Sequence, residues 1–95
     1  MLDADYAWCA GLFEGEGCIT RNHKSVTLVL HTTDEDIAQR FRRIMGGHLN
    51  GPYPGTNKPF WSWSISKREE VDRIIGAMMP YLGERRTARA IELGL

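Results

Sequence analysis

The stretch Trp8-Cys9-Ala10-Gly11-Leu12-Phe13-Glu14-Gly15-Glu16-Gly17-Cys18-Ile19 decides how the chain is read. It begins with helical spacing, fills with small residues, and ends in two carboxylates separated by glycine, after which an extended run begins. The spacing predicts a helix over residues 3–14, with Asp3 able to cap its start and Asp5 well placed in its first turn. Tyr6, Cys9, Ala10 and Phe13 form one apolar stripe, and Trp8, Gly11, Leu12 and Gly15 form a second. A helix that is apolar on two sides needs two packing partners. One is its own core, and the other is expected to be a copy of the same helix. Glycine inside a helix costs about 1 kcal/mol, which close approach of a second backbone would offset. The plainer reading makes Gly15 a helix cap and Gly11 incidental. Acids at a helix C-terminus face the negative end of the dipole, unfavourable by roughly 0.3–1 kcal/mol each, so two of them imply a nearby cation.

The rest of the chain alternates strand and helix patterns. Strands are expected over 17–22 and 25–31 around a tight turn at 22–24, and again over 48–52 and 60–65. Val26, Leu28 and Leu30 share one face of their strand, as do Trp61, Trp63 and Ile65 of theirs. Thr33 is expected to open a second helix with the stripe Ile37, Phe41, Ile44 and Met45, stopped by Gly46-Gly47. Ser66 and Glu69 form a capping box for a third helix with the stripe Val71, Ile74, Ile75, Met78 and Leu82, which Pro80 ends or kinks. A last helix over 84–93 carries Arg85, Arg86 and Arg89 near its start. Cations at a helix N-terminus imply something anionic beside them. The order αββαββα plus a short helix reads as an α+β fold, in which a four-stranded antiparallel sheet carries helices on one face and leaves a polar face open. One domain over 1–95 is expected.

Composition narrows the function only a little. The chain has 95 residues, 42% hydrophobic and 25% charged, with a formal net charge of zero. That balance speaks mildly against a nucleic-acid binder, although the distribution of charge matters more than its sum. No apolar run approaches the ~20 residues of a membrane span, so no membrane partner is expected. Neither a signal nor a transit pattern is read, and Cys9 and Cys18 have no metal-ligand or redox spacing, so the expected setting is intracellular with reduced thiols. His31 and His48 lack partner spacing and are expected to be surface or groove residues rather than ligands.

Residues 8–17 resemble the LAGLIDADG motif of homing endonucleases, in the variant with Glu at both acidic positions. Trp61-x-Trp63-x-Ile65, and Pro80-Tyr81-Leu82 followed by basic residues and a terminal helix, extend the resemblance along the chain. The resemblance implies a homodimer that cuts long, near-palindromic double-stranded DNA with Mg²⁺, or Mn²⁺ in its place. It implies a dimer seam of Trp8, Gly11, Leu12 and Gly15, and metal binding at Glu16 and Gly15. Arg85 would stabilise charge on the phosphate, Thr32 would position water, and Glu14 would cap and brace the helix end. Arg85 and Thr32 depart from the Lys and the longer polar residue that many relatives carry. The sheet would lie in the major groove and read DNA through Thr20, Asn22, Lys24, Ser25, Thr27, Val29, His31, Asn50, Ser62 and Ser64. Arg21, His23, Lys58 and Lys67 would support it from the margins. Two alternatives stand beside this expectation. One is a weak or inactive DNA- or RNA-binding module of the same fold, a transcription regulator or an intron maturase. The other is half of a tandem protein with a different partner half.

Overall fold

The computed structural model describes residues 2–23 and 25–95. Its elements are α1 (Asp3–Glu16), β1 (Gly17–Asn22), β2 (Ser25–Thr32), α2 (Glu35–Met45), β3 (His48–Tyr53), β4 (Phe60–Ile65), α3 (Arg68–Met78), a 3₁₀ turn (Met79–Tyr81) and α4 (Glu84–Glu92). This is the expected α+β order. The four strands form one antiparallel sheet in the order β1-β2-β4-β3.

The period-2 alternation of the strands divides the sheet into two faces. On the helix side, Leu30 lies between Gly17 and Trp63, and Leu28 lies between Ile19 and Ile65. These side chains close on Cys9, Ala10 and Phe13 of α1, Phe41 and Met45 of α2, and Val71, Ile74, Ile75 and Met78 of α3. Burying each large member contributes roughly 1.5–3 kcal/mol. Trp63 is fully buried, meets Phe41 edge to face at 4.7 Å, and donates its indole N–H to the Gly46 carbonyl at 2.6 Å. The Trp63 ring thereby ties β4 to the end of α2. Among the described residues no helix is long and apolar enough to cross a membrane.

Helix ends are where the structure departs most from the expectations. Leu2, not Asp3, is the N-cap of α1, and the Asp5 carboxylate accepts the Leu2 N–H at 3.3 Å. α1 runs on through Glu16, so Gly15 is helical and Gly17 is the cap, which removes the capping explanation for Gly15. β2 extends to Thr32, whose hydroxyl accepts the Asp34 N–H at 3.2 Å. That bond forms a small turn ahead of α2, so the helix starts at Glu35 rather than at Thr33. Ser66 and Glu69 form no capping box, because α3 begins one residue late, with Lys67 at its N-cap. β3 reaches Tyr53 past an irregularity between Asn50 and Tyr53. None of the N-cap residues caps its helix with its own side chain, and the chain also secures the opposite ends. Three arginines donate to carbonyls at or beyond helix C-termini: Arg86 to Glu14, Arg73 to Met45 at 2.9 Å, and Arg68 to Gly94 at 2.6 Å. Cationic donors there meet orphan carbonyls and the negative end of the dipole together.

Candidate functional site

Glu16 is the last residue of α1 and is exposed. It lines an open cleft of about 240 Å³ together with His31, Thr32, Thr33, Asp34 and Phe60. The cleft therefore joins the end of α1 to the end of β2 and the start of β4. Glu16 and Thr32 thus line the same cleft. The Thr32 oxygen is already taken as an acceptor by Asp34 N–H, which leaves its hydroxyl proton free to donate. Asp34 has no capping bond to α2, so its carboxylate adds a second acid to the cleft wall.

The donor chemistry fits a hard divalent cation only in part within one chain. Among the described residues, no group of three His, Cys, Asp or Glu side chains gathers to hold a metal. Glu16, with the Gly15 carbonyl behind it, offers oxygen donors and open space. A small hard cation typically takes one or two carboxylates and completes its shell with water and substrate phosphate.

The two motif acids separate cleanly. Glu14 is half-buried, and its Oε1 accepts the Gly83 N–H at 2.6 Å, while its Oε2 lies 3.5 Å from Arg86 Nε. Arg86 also donates to the Glu14 carbonyl from Nε at 3.2 Å and from its terminal nitrogen at 3.1 Å, and lies over the Phe13 ring at 5.6 Å. The Glu14 carboxylate thus joins the last turn of α1 to the start of α4. Arg86 was missed in the sequence, where it is indistinguishable from its neighbours Arg85 and Arg89.

Arg85 is exposed and is not on the wall of the Glu16 cleft. It lines a separate groove with Cys18, Ile19, Arg86 and Arg89. The groove sets these three arginines of α4 beside β1, an edge strand of the sheet. The glycines flanking Glu16 also differ. Gly15 has nothing within 4 Å of the position its Cβ would take, whereas a methyl on Gly17 would overlap the Phe13 ring. Gly17 is explained by internal packing, not by the approach of an outside ligand.

The open face of the sheet carries the expected polar set in register. Thr20 pairs with Thr27 and Asn22 with Ser25. Val29 lies beside Ser64, and His31 beside Ser62, which continues to Asn50. Lys24, expected on this face, lies outside the described residues. Cys18 and His48 join the row through Val29 and Ser64. Phe60 and Tyr53 join too, with their rings 5.6 Å apart, and Phe60 lies 5.0 Å from His31. Strand parity alone would have put Phe60 on this face with Ser62 and Ser64.

The second stripe of α1 is only partly free. Gly11 is exposed with no neighbour within 4 Å, as is Gly15. Trp8 and Leu12 are half-buried and touch the domain's own core, and the Arg40 guanidinium lies 4.0 Å over the Trp8 ring. The exposed strip is therefore a glycine lane flanked by Trp8 and Leu12.

No family model matches the sequence, and no curated protein does. Solved structures do match in fold. The homing endonuclease I-CvuI, in complex with its target in the presence of calcium, superposes with a TM-score of 0.70 at 19% identity, over 94% of this chain and 64% of that one. The homing endonuclease I-TnaI gives 0.70 at 16% identity, over 94% and 68%. The LAGLIDADG homing endonuclease I-GzeII, in complex with a DNA target, gives 0.69 at 15% identity, over 94% and 33%. The chain spans just under two thirds of the length of I-CvuI and a third of that of I-GzeII. The αββαββα order and the open antiparallel sheet are thus those of the LAGLIDADG homing endonuclease fold.

Proposed function

We propose that the chain is one subunit of a site-specific double-stranded DNA endonuclease that works as a homodimer with Mg²⁺ on a long, near-palindromic target. The observation that carries this reading is one juxtaposition. An uncovered sheet face, with polar side chains in register on all four strands, ends beside an exposed carboxylate at the tip of a helix whose outer strip is glycine. A β-sheet of this kind fits a major groove. The DNA-bound structures of I-CvuI and I-GzeII share the fold.

In this reading the α1 helices of two copies pack along Gly11 and Gly15. The two Glu16 carboxylates, with the Gly15 carbonyls, then face a shared cation site. A divalent cation there would polarise the scissile phosphates and lower the pKa of bound water. Thr32 donates its remaining hydroxyl proton to water or phosphate in the cleft. Arg85, a permanent cation, neutralises phosphate charge at the β1 edge and takes no part as a base. Thr20, Asn22, Ser25, Thr27, His31, Asn50, Ser62 and Ser64 hydrogen-bond base edges, and Val29 offers an apolar contact. Lys24 adds charge at the hairpin. One domain over residues 1–95, acting on intracellular DNA, completes the proposal.

The departure of Arg85 from the Glu16 cleft favours one second reading, a DNA-binding module that cuts slowly or not at all. Selection of cleaved sites from a randomised duplex library with Mg²⁺, run beside Glu16→Gln, separates the two. The nuclease reading expects cut sites with wild-type protein, and binding without cutting for the variant. Selective binding with no cutting by either protein supports the module, and equal cutting by both removes Glu16 from the chemistry.

A further inference from the structure

The structure assigns Glu14 and Arg86 a joint role as the clamp that sets where Arg85 stands relative to Glu16. This rests on the nuclease reading and adds two positioning residues to it. The Gly83 N–H to Glu14 Oε1 bond, at 2.6 Å, ties the end of α1 to the start of α4. Glu16 lies two residues beyond one side of that junction, and Arg85 lies two residues beyond the other. Arg86 closes the clamp from α4, with two donations to the Glu14 carbonyl and an ion pair to its carboxylate.

The clamp answers two electrostatic problems at once. The negative end of α1 receives the Arg86 guanidinium, and the positive end of α4 receives the Glu14 carboxylate. Apolar packing of α4 is concentrated at its far end, at Ala90 and at Leu93 just beyond it, while Glu84 and Arg85 are exposed. The first turn of α4 is therefore held by the clamp rather than by the core. At Gly83 an added Cβ would lie 3.0 Å from Glu14 Oε1, so only glycine lets the carboxylate come this close without a shift. Arg86 is 16% exposed and Glu14 34%, so solvent competes weakly with the pair on the arginine side.

The test uses the full-length protein, a duplex recovered from a library selection, and Glu14→Gln, Gly83→Ala and Arg85→Ala singly and in combination. Single-turnover cutting with Mg²⁺ at saturating protein is measured beside duplex binding in Ca²⁺ and amide exchange of α4. Glu14→Gln and Gly83→Ala are expected to slow cutting about tenfold to a hundredfold, the scale of a small misplacement of a charged group. Duplex binding is expected to stay within about twofold, and exchange in the first turn of α4 to quicken. Adding Glu14→Gln to Arg85→Ala is expected to cause no further loss of rate, because Glu14 acts through Arg85. Multiplied losses in that double variant, or unchanged α4 exchange in Glu14→Gln, overturn the clamp while leaving the nuclease reading standing. No cutting by wild-type protein overturns the nuclease reading, and the positioning role falls with it.

Discussion

The Phe13 ring lies against Gly17, so close that a single methyl on Gly17 would overlap it. The contact joins the last turn of α1 to the first residue of β1 and fixes the direction in which the chain leaves Glu16. Gly17→Ala is expected to lower stability by about 1–3 kcal/mol, the usual cost of overpacking. Urea denaturation of the purified variant checks this. The loss should be much smaller when Phe13→Leu is added, because the clash is with the ring.

Trp63 provides a second test of the core. Its indole N–H reaches the Gly46 carbonyl at 2.6 Å, and Arg73 donates to the neighbouring Met45 carbonyl. Trp63→Phe keeps an aromatic ring beside Phe41 and removes the donor. An expected loss of about 1–3 kcal/mol follows from leaving that carbonyl unpaired, read from the shift in denaturation midpoint.

The cysteines should behave oppositely. Cys9 is fully buried in α1, and burial pushes its thiol from 9.0 up to about 12. Cys18 is exposed on the open sheet face. A thiol reagent at neutral pH is expected to modify Cys18 in the folded protein and to reach Cys9 only after denaturation. The sign of the pH effect follows from the raised value. Below pH 9 both folded and unfolded chains hold the Cys9 proton. Between pH 9 and about 12 only the folded chain does, so this contribution to stability is lost as pH rises. Cys9→Ser should flatten that alkaline decline.

Much of this architecture was legible in the sequence. The alternation in 25–31 and 60–65 gave both faces of the sheet, and the stripes of α2 and α3 gave their buried sides. Helix starts were not legible. Thr33 and Ser66 are good caps by composition, but the Thr32–Asp34 turn and the late start of α3 leave them outside the helices. At the site, the spacing of Glu14 and Glu16 showed that the acids were unusual, and the resemblance divided their roles. Which arginine meets Glu14 was not legible. Successive residues on a helix point about 100° apart, so only the docking of α4 selects Arg86 over Arg85.

Gly11 separates the stability of one chain from the association of two. Nothing lies within 4 Å of its missing Cβ, so Gly11→Ala should stabilise the isolated chain by about 0.8–1 kcal/mol through helix propensity. The same methyl in a close helix seam costs about 1–3 kcal/mol, enough to weaken dimerisation roughly tenfold. Sedimentation equilibrium and thermal melting at low concentration read the two effects apart. An unaltered dimer constant would move the seam away from Gly11.

The claim that two identical chains share one Glu16-dependent site is tested most directly by mixing. Wild-type and Glu16→Gln chains are refolded together in varied proportions, and double-strand cleavage of the selected duplex is measured with Mg²⁺ at constant total protein. The account predicts that cleavage falls as the square of the wild-type fraction, because both copies of Glu16 are needed in each active particle. A linear fall would show that each chain cuts independently and would contradict the shared site.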